Sequence, residues 1–443
     1  MILSPAAEYC INALQAKGYQ AYAVGGCVRD SLLGLTPADY DLCTNAVPDE
    51  ICAVFAGLQL LHHGQKHGTV GVVLNGAVLE ITTFRTEGDY TDARHPGWVA
   101  FVPNVEQDLA RRDFTVNAMA YNPAEGYIDP FGGRQDLADG ILRAVGDPYL
   151  RFREDALRIL RGLRFASRFR LKIEPATKAA MEELSPLLDK IARERVFEEL
   201  CKLLLTVTAT ELLEFIPILT RVLPELTPMV GFQQHSPHHR YDVFTHTAHV
   251  VEAVPGELTL RWAALLHDVG KPACFTMDET GRGHFKGHAK VSRELADAIL
   301  LRLKAPTALR QQVIELIGQH MTPLEADKKF LRRRLGKLGE PMLEKLLHLK
   351  EADMGSKGTG KDEDLAHLAH IRELLAQIRE ENSCLTLKDL AVDGKALQQE
   401  GFTPGPKMGR CLNLLLEQVL DEQLLNEKAA LLEAAKTIWE ELL

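Results

Sequence analysis

The sequence predicts an α+β chain, with a mixed-sheet head followed by an all-helical remainder. Three observations carry that expectation. Across residues 1–146, short runs rich in Val, Ile and Thr alternate with glycine-bounded turns, as strands do. From about residue 148, apolar side chains recur at helical spacing, as Leu157, Leu160 and Leu163 do together with Phe165. No internal repeat or long low-complexity tract interrupts either region.

The elements follow in order. Residues 1–20 carry helical spacing, YAVGG (22–26) reads as a strand running into a glycine turn, and GGCVRDSLLG opens a helical segment. TVGVVL (69–74) and AVLEITTFR (77–85) read as further strands, and 106–122 carries helical spacing again. Two long helical patterns come next, REDALRILRGLRFASRF and ATKAAMEELSPLLDKIARERVFEELCKLLL. Breaks rich in Gly, Pro, His and charge fall near 224–240 and 353–364. These features divide the chain into a head (1–146), a helical neck (147–208), a helical body (209–360) and a helical tail (361–443).

Composition narrows the function classes. The 443 residues include 46% hydrophobic and 25% charged side chains, an ordinary globular balance that can bury several cores. No run of about 18 apolar residues occurs, so no spanning helix is expected. The N-terminus lacks a basic segment followed by an apolar one. Eight scattered cysteines without a C-x-x-C pair point away from a disulfide framework or zinc ribbon, toward a reduced cytoplasmic protein. The formal net charge is 51 − 61 = −10, which taken whole speaks against a nucleic-acid partner. The charge is uneven, however: residues 151–172 hold eight basic side chains against Glu154 and Asp155, giving 8 − 2 = +6. RNA contact along the neck is therefore plausible.

The head carries a constellation suited to nucleotidyl transfer. Gly25-Gly26 closes a strand and leads into Arg29 and Asp30, and backbone amides at such a turn can approach phosphate oxygens closely. Asp39-Tyr40-Asp41 follows. In an extended strand, residues i and i+2 face the same side, so the two carboxylates converge and call for a divalent cation. Glu80 lies mid-strand among apolar residues, an awkward place for a charge unless it faces the same metal. In the neck, Asp155 and Arg158 at i and i+3 would share a helical face, one offering acceptors and the other a forked donor for a base edge. Arg158, Arg161 and Arg164 continue at spacing three as a basic stripe compatible with phosphates.

GGCVRDSLLG…ADYDLCTNA resembles the signature of the polymerase β-like nucleotidyltransferases, in the bacterial branch that holds tRNA CCA-adding enzymes and poly(A) polymerases. Further motifs follow in that family's order. RRDFTVNAMAYN (111–122) resembles its ribose motif and IDPFGGRQDL (128–137) its hinge. RFREDALRILRGLRFASRF (151–169) resembles its nucleobase-selecting helix and IARERVFEEL (191–200) a later neck motif. The resemblance implies a polymerase β-like head, with Asp39 and Asp41 on catalytic Mg²⁺ ions and Glu80 as a third carboxylate. It assigns Gly26 and Arg29 to the triphosphate, Arg112 to the incoming nucleotide, and Asp113 and Asn117 to the ribose end. Asp155 and Arg158 would read the base, and Arg161 and Arg164 would bind phosphate. The implied reaction is attack of an RNA 3′-hydroxyl on the α-phosphate of a nucleoside triphosphate, with no nucleic-acid template.

Three activities share such a head: addition of CCA, of A alone, and of poly(A). D-x-R-H-P (92–96), within the polar stretch TEGDYTDARHPG, resembles the flexible-loop element of full CCA-adding enzymes, and the tail's G-F-x-P-G-P-x-x-G resembles their C-terminal segments. CCA addition to tRNA from CTP and ATP is therefore the favoured reading, with A-adding and poly(A)-adding activity as alternatives. In the body, the ordered set His246, His267-Asp268, His288, His320 and Asp353 resembles the HD-type metal-dependent phosphohydrolases. That resemblance implies a divalent transition metal on His246, His267, Asp268 and Asp353, with His288 and His320 for a second ion. An HD phosphohydrolase activity is thus an alternative of another class. His62, His63 and His67 follow no such pattern and read as structural or surface residues.

Overall fold

Alternation of side chains across one central strand organises the head. The computed structural model describes residues 1–62, 64–90, 96–236, 240–358, 361–381 and 384–442. The head's strands are β1 (Ala21–Val24), β2 (Asp41–Thr44), β3 (Gln59–Leu61), β4 (Thr69–Leu74) and β5 (Ala77–Thr83). A hairpin of β6 (Arg85–Tyr90) and β7 (Pro96–Phe101) follows, then β8 (Ala120–Asn122) and β9 (Gly126–Ile128). Seven of these form one sheet in the order β3-β4-β5-β2-β1-β8-β9. Its β2–β5 pair is parallel, and its other pairs are antiparallel, so the sheet is mixed as expected.

All four residues of β1 are buried, as a strand covered on both faces requires. Ala21 and Ala23 join a core with Ala7, Cys10, Ile11 and Leu14 of helix α1 (Pro5–Ala16). Tyr22 and Val24 point the other way, into a core with Phe84, Val105 and Leu109. Short helices α2 (Gly26–Leu32), α3 (Pro48–Val54), α4 (Val105–Ala110) and α5 (Gly133–Ala138) complete the head. The helical expectation for 106–122 is corrected here. Only α4 is α-helical; Thr115–Asn117 forms a single 3₁₀ turn and Ala120–Asn122 pairs with β1, because the sheet takes these apolar residues as an inner strand.

The neck comprises α6 (Pro148–Glu154), α7 (Leu157–Phe169), α8 (Pro175–Leu184) and α9 (Arg193–Leu204), with a two-strand link of β10 (Ile141–Leu142) and β11 (Lys172–Ile173); α10 (Ala209–Val222), at the start of the expected body, follows in the same compact unit. The pattern read as one helix over 153–169 is two. Asp155 adopts an extended backbone (φ −141°, ψ 102°), and its Oδ1 accepts from Leu157 N at 3.0 Å, so the aspartate interrupts α6 and starts α7. Head and neck form one compact unit, Met1–Pro224 with Arg302–Lys304.

The second unit, Glu225–Leu301 with Ala305–Leu443, is helical apart from one small hairpin. Its body has α11 (Val243–Ala253), α12 (Leu258–Leu266), the hairpin β12 (Thr276–Met277) and β13 (Gly283–His284), α13 (His288–Arg302), α14 (Thr307–Gln319), α15 (Lys328–Leu338) and α16 (Glu340–Gly355). Then come α17 (Lys361–Glu380), α18 (Gly394–Gln399), α19 (Pro406–Leu420) and α20 (Lys428–Glu441). The break expected from 353 begins later: α16 continues through Gly355 and carries Asp353. Among the described residues no helix is long and apolar enough to cross a membrane. All eight cysteines are free thiols.

Candidate active site

Sheet register sets the acidic part of the site. Asp41 opens β2 and pairs in register with Glu80 of the parallel strand β5, so the two side chains leave the same face of the sheet. Asp39 does not lie in the strand as the D-x-D reading assumed; it sits two residues ahead of Asp41, in the exposed approach to β2. The convergence survives that correction. Partial desolvation, then the negative charges of Asp39 and Glu80, hold the Asp41 carboxyl above its ordinary range against the opposing pull of Arg112. Carboxylates crowded in this way are what a divalent cation relieves, and their all-oxygen donor set suits Mg²⁺.

Beside Asp41 opens a cavity of about 440 Å³ lined by the glycine turn and by arginines. Gly25 holds φ +76°, a conformation that favours glycine, and a Cβ there would stand 2.8 Å from Arg112 Nη1 and push that side chain aside. Arg29, buried on α2, donates to Asn117 Oδ1 at 2.5 Å and to Asp30 at 2.6 Å. Its guanidinium lies over the Phe169 ring at 4.2 Å and near Phe165 at 5.3 Å. Asn117 in turn donates to Asp113 Oδ1 at 3.0 Å, and Arg161 grips Asp113 Oδ2 at 2.6 Å. Burial would raise the Asp113 carboxyl, but the Arg161 charge and the hydrogen bonds from Asn117 and Arg161 outweigh it and hold it at about 2. Arg112 reaches Asp108 at 3.3 Å and keeps a buried Nε without a hydrogen bond.

The cavity brings together Gly26, Arg29, Asp41, Arg112, Asp113, Asn117, Asp155, Arg158, Arg161 and Arg164; Asp39 and Glu80 are not among its lining residues. The expected Asp155–Arg158 helical pair is corrected. Asp155 lies in the break before α7, where Arg195 of α9 holds its Oδ2 at 3.1 Å. Arg158 donates to Glu154 at 2.6 Å and to the carbonyls of Arg151 and Arg111 at 3.1 and 2.9 Å. Arg164 pairs with Glu199 at 2.6 Å, both buried. The basic stripe is therefore largely neutralised by carboxylates. Phe165 was expected only on the apolar face, and Phe169, Arg195 and Glu199 escaped the residue reading, although the last two stand four apart in IARERVFEEL, on one helical face. Of the polar stretch 86–97, residues 91–95 lie outside the described residues, as does His63; His62 and His67 are exposed.

In the second unit, all six expected body residues converge from α11, α13, α16 and the C-terminal ends of α12 and α14. His246 Nε2 lies 3.0 Å from Asp353 Oδ1, and His267 Nε2 lies 3.2 Å from Asp268 Oδ2. His288 Nε2 lies 3.4 Å from Asp268 Oδ1 and 3.2 Å from His320 Nε2. His267, His288 and His320 each direct Nδ1 at a backbone carbonyl, of Ala264 (2.8 Å), Phe285 (2.8 Å) and Ile317 (2.6 Å). A carbonyl only accepts, so each Nδ1 carries the proton, and in the neutral rings each Nε2 offers a lone pair to the centre. His267 Nε2 and Asp268 Oδ2 are buried without a well-formed hydrogen bond. Facing lone pairs and orphaned acceptors fit a divalent metal, although Lys271, 2.7 Å from Asp268 Oδ2, already balances part of the charge. His249 stays outside the cluster and stacks with Tyr241. The adjoining cavity of about 790 Å³ is lined by Lys271, Arg282, Lys286 and Lys357, cations the sequence reading did not single out.

A mixed sheet that sets Asp41, in register with Glu80, beside an arginine-lined cavity defines the site of a nucleotidyltransferase. The family model "Poly A polymerase head domain" matches residues 21–143, that for an "RNA and SrmB- binding site of polymerase A" matches 170–229, and "tRNA nucleotidyltransferase domain 2" matches 285–435. A CCA-adding enzyme of Levilactobacillus brevis is 35% identical over 431 residues, covering 96% of this chain and 95% of its own. The chain belongs to the CCA-adding enzyme family. Among solved structures, the Bacillus stearothermophilus CCA-adding enzyme in complex with CTP has a TM-score of 0.68 at 29% identity, covering 99% of this chain and 100% of its own. A Thermotoga maritima CCA-adding enzyme complexed with tRNA shares the fold, with a TM-score of 0.61 at 20% identity over 98% of this chain and 96% of its own. Nucleotidyltransferases of this family use a divalent metal, generally Mg²⁺.

Proposed function

We propose that this chain adds CCA to the 3′ end of tRNA from CTP and ATP, releasing pyrophosphate. The observation that carries this reading is the cavity in which Asp41, the Gly25-Gly26 turn and the Asp155–Arg158 segment meet. The relatives favour it over A-only or poly(A) addition, since CCA-adding enzymes match this chain along nearly their whole length. In this reading Asp39 and Asp41, with Glu80, hold the Mg²⁺-type ions, which when bound offset the charge of the triphosphate and the attacking hydroxyl. Gly26 and Arg29 take the triphosphate, Arg112 the nucleotide, and Asp113 and Asn117 fix the ribose end through their mutual hydrogen bond. Arg161 and Arg164 supply positive charge along the cavity.

Base choice follows from donor and acceptor chemistry. Cytosine and adenine both present an exocyclic amino donor beside a ring-nitrogen acceptor, whereas uracil and guanine reverse that pattern. Asp155 accepts from the amino group and Arg158 donates to the ring nitrogen, so one pair of side chains takes C and A and rejects U and G. In domain terms the head (1–146) performs transfer, the neck (147–208) reads the base, and the body (209–360) and tail (361–443) hold the tRNA. The test supplies a tRNA ending before CCA with CTP, ATP and Mg²⁺ and sequences the product. C-C-A addition that is lost in Asp41→Ala supports the reading; a homopolymeric A tail or no C incorporation sinks it.

The buried His/Asp cluster favours a second reading for the body. There His246, His267, Asp268 and Asp353, with His288 and His320, hold a divalent transition metal, and the cationic cavity beside them accepts a phosphate ester for hydrolysis. Calorimetric titration with Mn²⁺ or Co²⁺ should report binding that His267→Ala removes while CCA addition persists. Absence of binding in the wild-type chain would dismiss this reading.

A further inference from the structure

We infer that Arg195 is a specificity-determining positioning residue that sets the acceptor geometry of Asp155. The inference rests on Asp155 reading the base. Asp155 lies between helices, with no helical neighbours to fix its side chain. Two donors from different elements do so instead. Leu157 N, at the start of α7, holds Oδ1 at 3.0 Å, and Arg195 Nη2, from α9, holds Oδ2 at 3.1 Å. Together they fix the carboxylate plane, and so decide where a base amino group must sit to reach the remaining lone pairs.

Arg195 is well placed for this task. It lines the same cavity, its Nη1 is buried there without a hydrogen-bond partner, and no other side chain among the described residues bonds to Asp155. One turn on, Glu199 fixes Arg164 at 2.6 Å, so α9 works as a backing layer that orients cavity residues of both signs. Without Arg195, Oδ2 loses its charge-assisted donor and the carboxylate can rotate about its Cβ–Cγ bond. A carboxylate free to turn holds the cytosine amino group less firmly and can swing away from the keto oxygen of uracil, which a fixed acceptor repels. Discrimination therefore suffers more than overall rate.

The experiment measures kcat/KM for CTP and for UTP with a tRNA ending before CCA, in the full-length wild type and in Arg195→Gln, Arg195→Lys and Asp155→Asn. Arg195→Gln should lower the CTP-over-UTP preference by roughly tenfold or more, the scale of one lost specific contact. Arg195→Lys, which keeps the charge but not the fork, should recover part of it. Equal losses for both nucleotides, or an unchanged preference, would overturn the inference. If Arg195→Gln fails to fold, the lysine variant decides alone: a preference equal to wild type refutes the assignment, and a several-fold reduction supports it. Asp155→Asn separates the two levels. If it leaves the preference intact, base reading by Asp155 fails; if it abolishes the preference while Arg195→Gln does not, only the role of Arg195 fails.

Discussion

Gly25 and Asp113 show how much of the site depends on single atoms. Gly25 holds φ +76° against Arg112, whereas Gly34 holds φ +73° with open space around it. Alanine at either position incurs the cost of a positive φ, on the order of 1–3 kcal/mol, but only Gly25→Ala also displaces a cavity arginine. Thermal unfolding should therefore find both variants destabilised, while nucleotide incorporation collapses in Gly25→Ala and survives in Gly34→Ala. Asp113 makes a prediction in pH. Its carboxyl falls from 3.8 to about 2 in the folded chain, so it stabilises the fold above the unfolded value and loses that contribution as pH drops through the folded one. The gap between wild type and Asp113→Asn, about 2 kcal/mol by that shift, should stay constant above pH 4 and narrow toward pH 2 in urea titrations. A gap that widens on acidification would contradict the Arg161–Asp113 account.

At the level of elements, pattern and partner contribute differently. Strands β1, β4 and β5 were legible because glycine-bounded Val/Ile/Thr runs have few other folds available, and Glu80 and the glycine turn could be named from them, as Asp41 could from the D-x-D spacing. The parallel pairing that puts Asp41 against Glu80 was not legible, since a crossover joins strands thirty-odd residues apart and leaves no local trace. The break at Asp155 was hidden for a different reason: EDALR satisfies helical spacing, and only the side chain's bond to Leu157 N shows that it caps instead. The body cluster followed from the order of its His and Asp residues, whereas the cations around its cavity carry no spacing signal at all. Carboxylate partners were missed because they sit far along the chain, as Glu199 does from Arg164. That buried pair yields a test of the α7–α9 contact. Glu199→Ala leaves a buried guanidinium unpaired and should cost about 3–5 kcal/mol; Glu199→Gln keeps an acceptor and should cost less. The double variant Arg164→Met/Glu199→Leu should recover much of the stability in denaturant melts yet not the incorporation rate, because the cavity has lost a cation.

On the scale of the whole molecule, an acidic chain meets a polyanion, and pairing decides which cations are available for it. The neck stretch 151–172 counts +6 from its own residues, but most of its arginines are matched by carboxylates inside or outside it. Arg151 and Arg158 share Glu154, Arg161 takes Asp113, Arg164 takes Glu199 and Arg170 takes Glu211. Arg153, Arg168 and Lys172 are exposed and have no ion pair among the described residues. If RNA phosphates are met along the neck, these three release the counterions, since a paired arginine must first give up its carboxylate. Replacing all three by alanine should weaken tRNA binding and reduce the slope of log K against log salt by about 2. Arg170→Ala serves as the control: its side chain is 57% exposed, but it is paired with Glu211 at 3.0 Å. Filter-binding titrations across salt concentrations should find its slope close to wild type. A slope as strongly reduced by Arg170→Ala as by the triple variant would mean that pairing does not partition the neck's charge, and that the count of +6 is the better guide to RNA affinity after all.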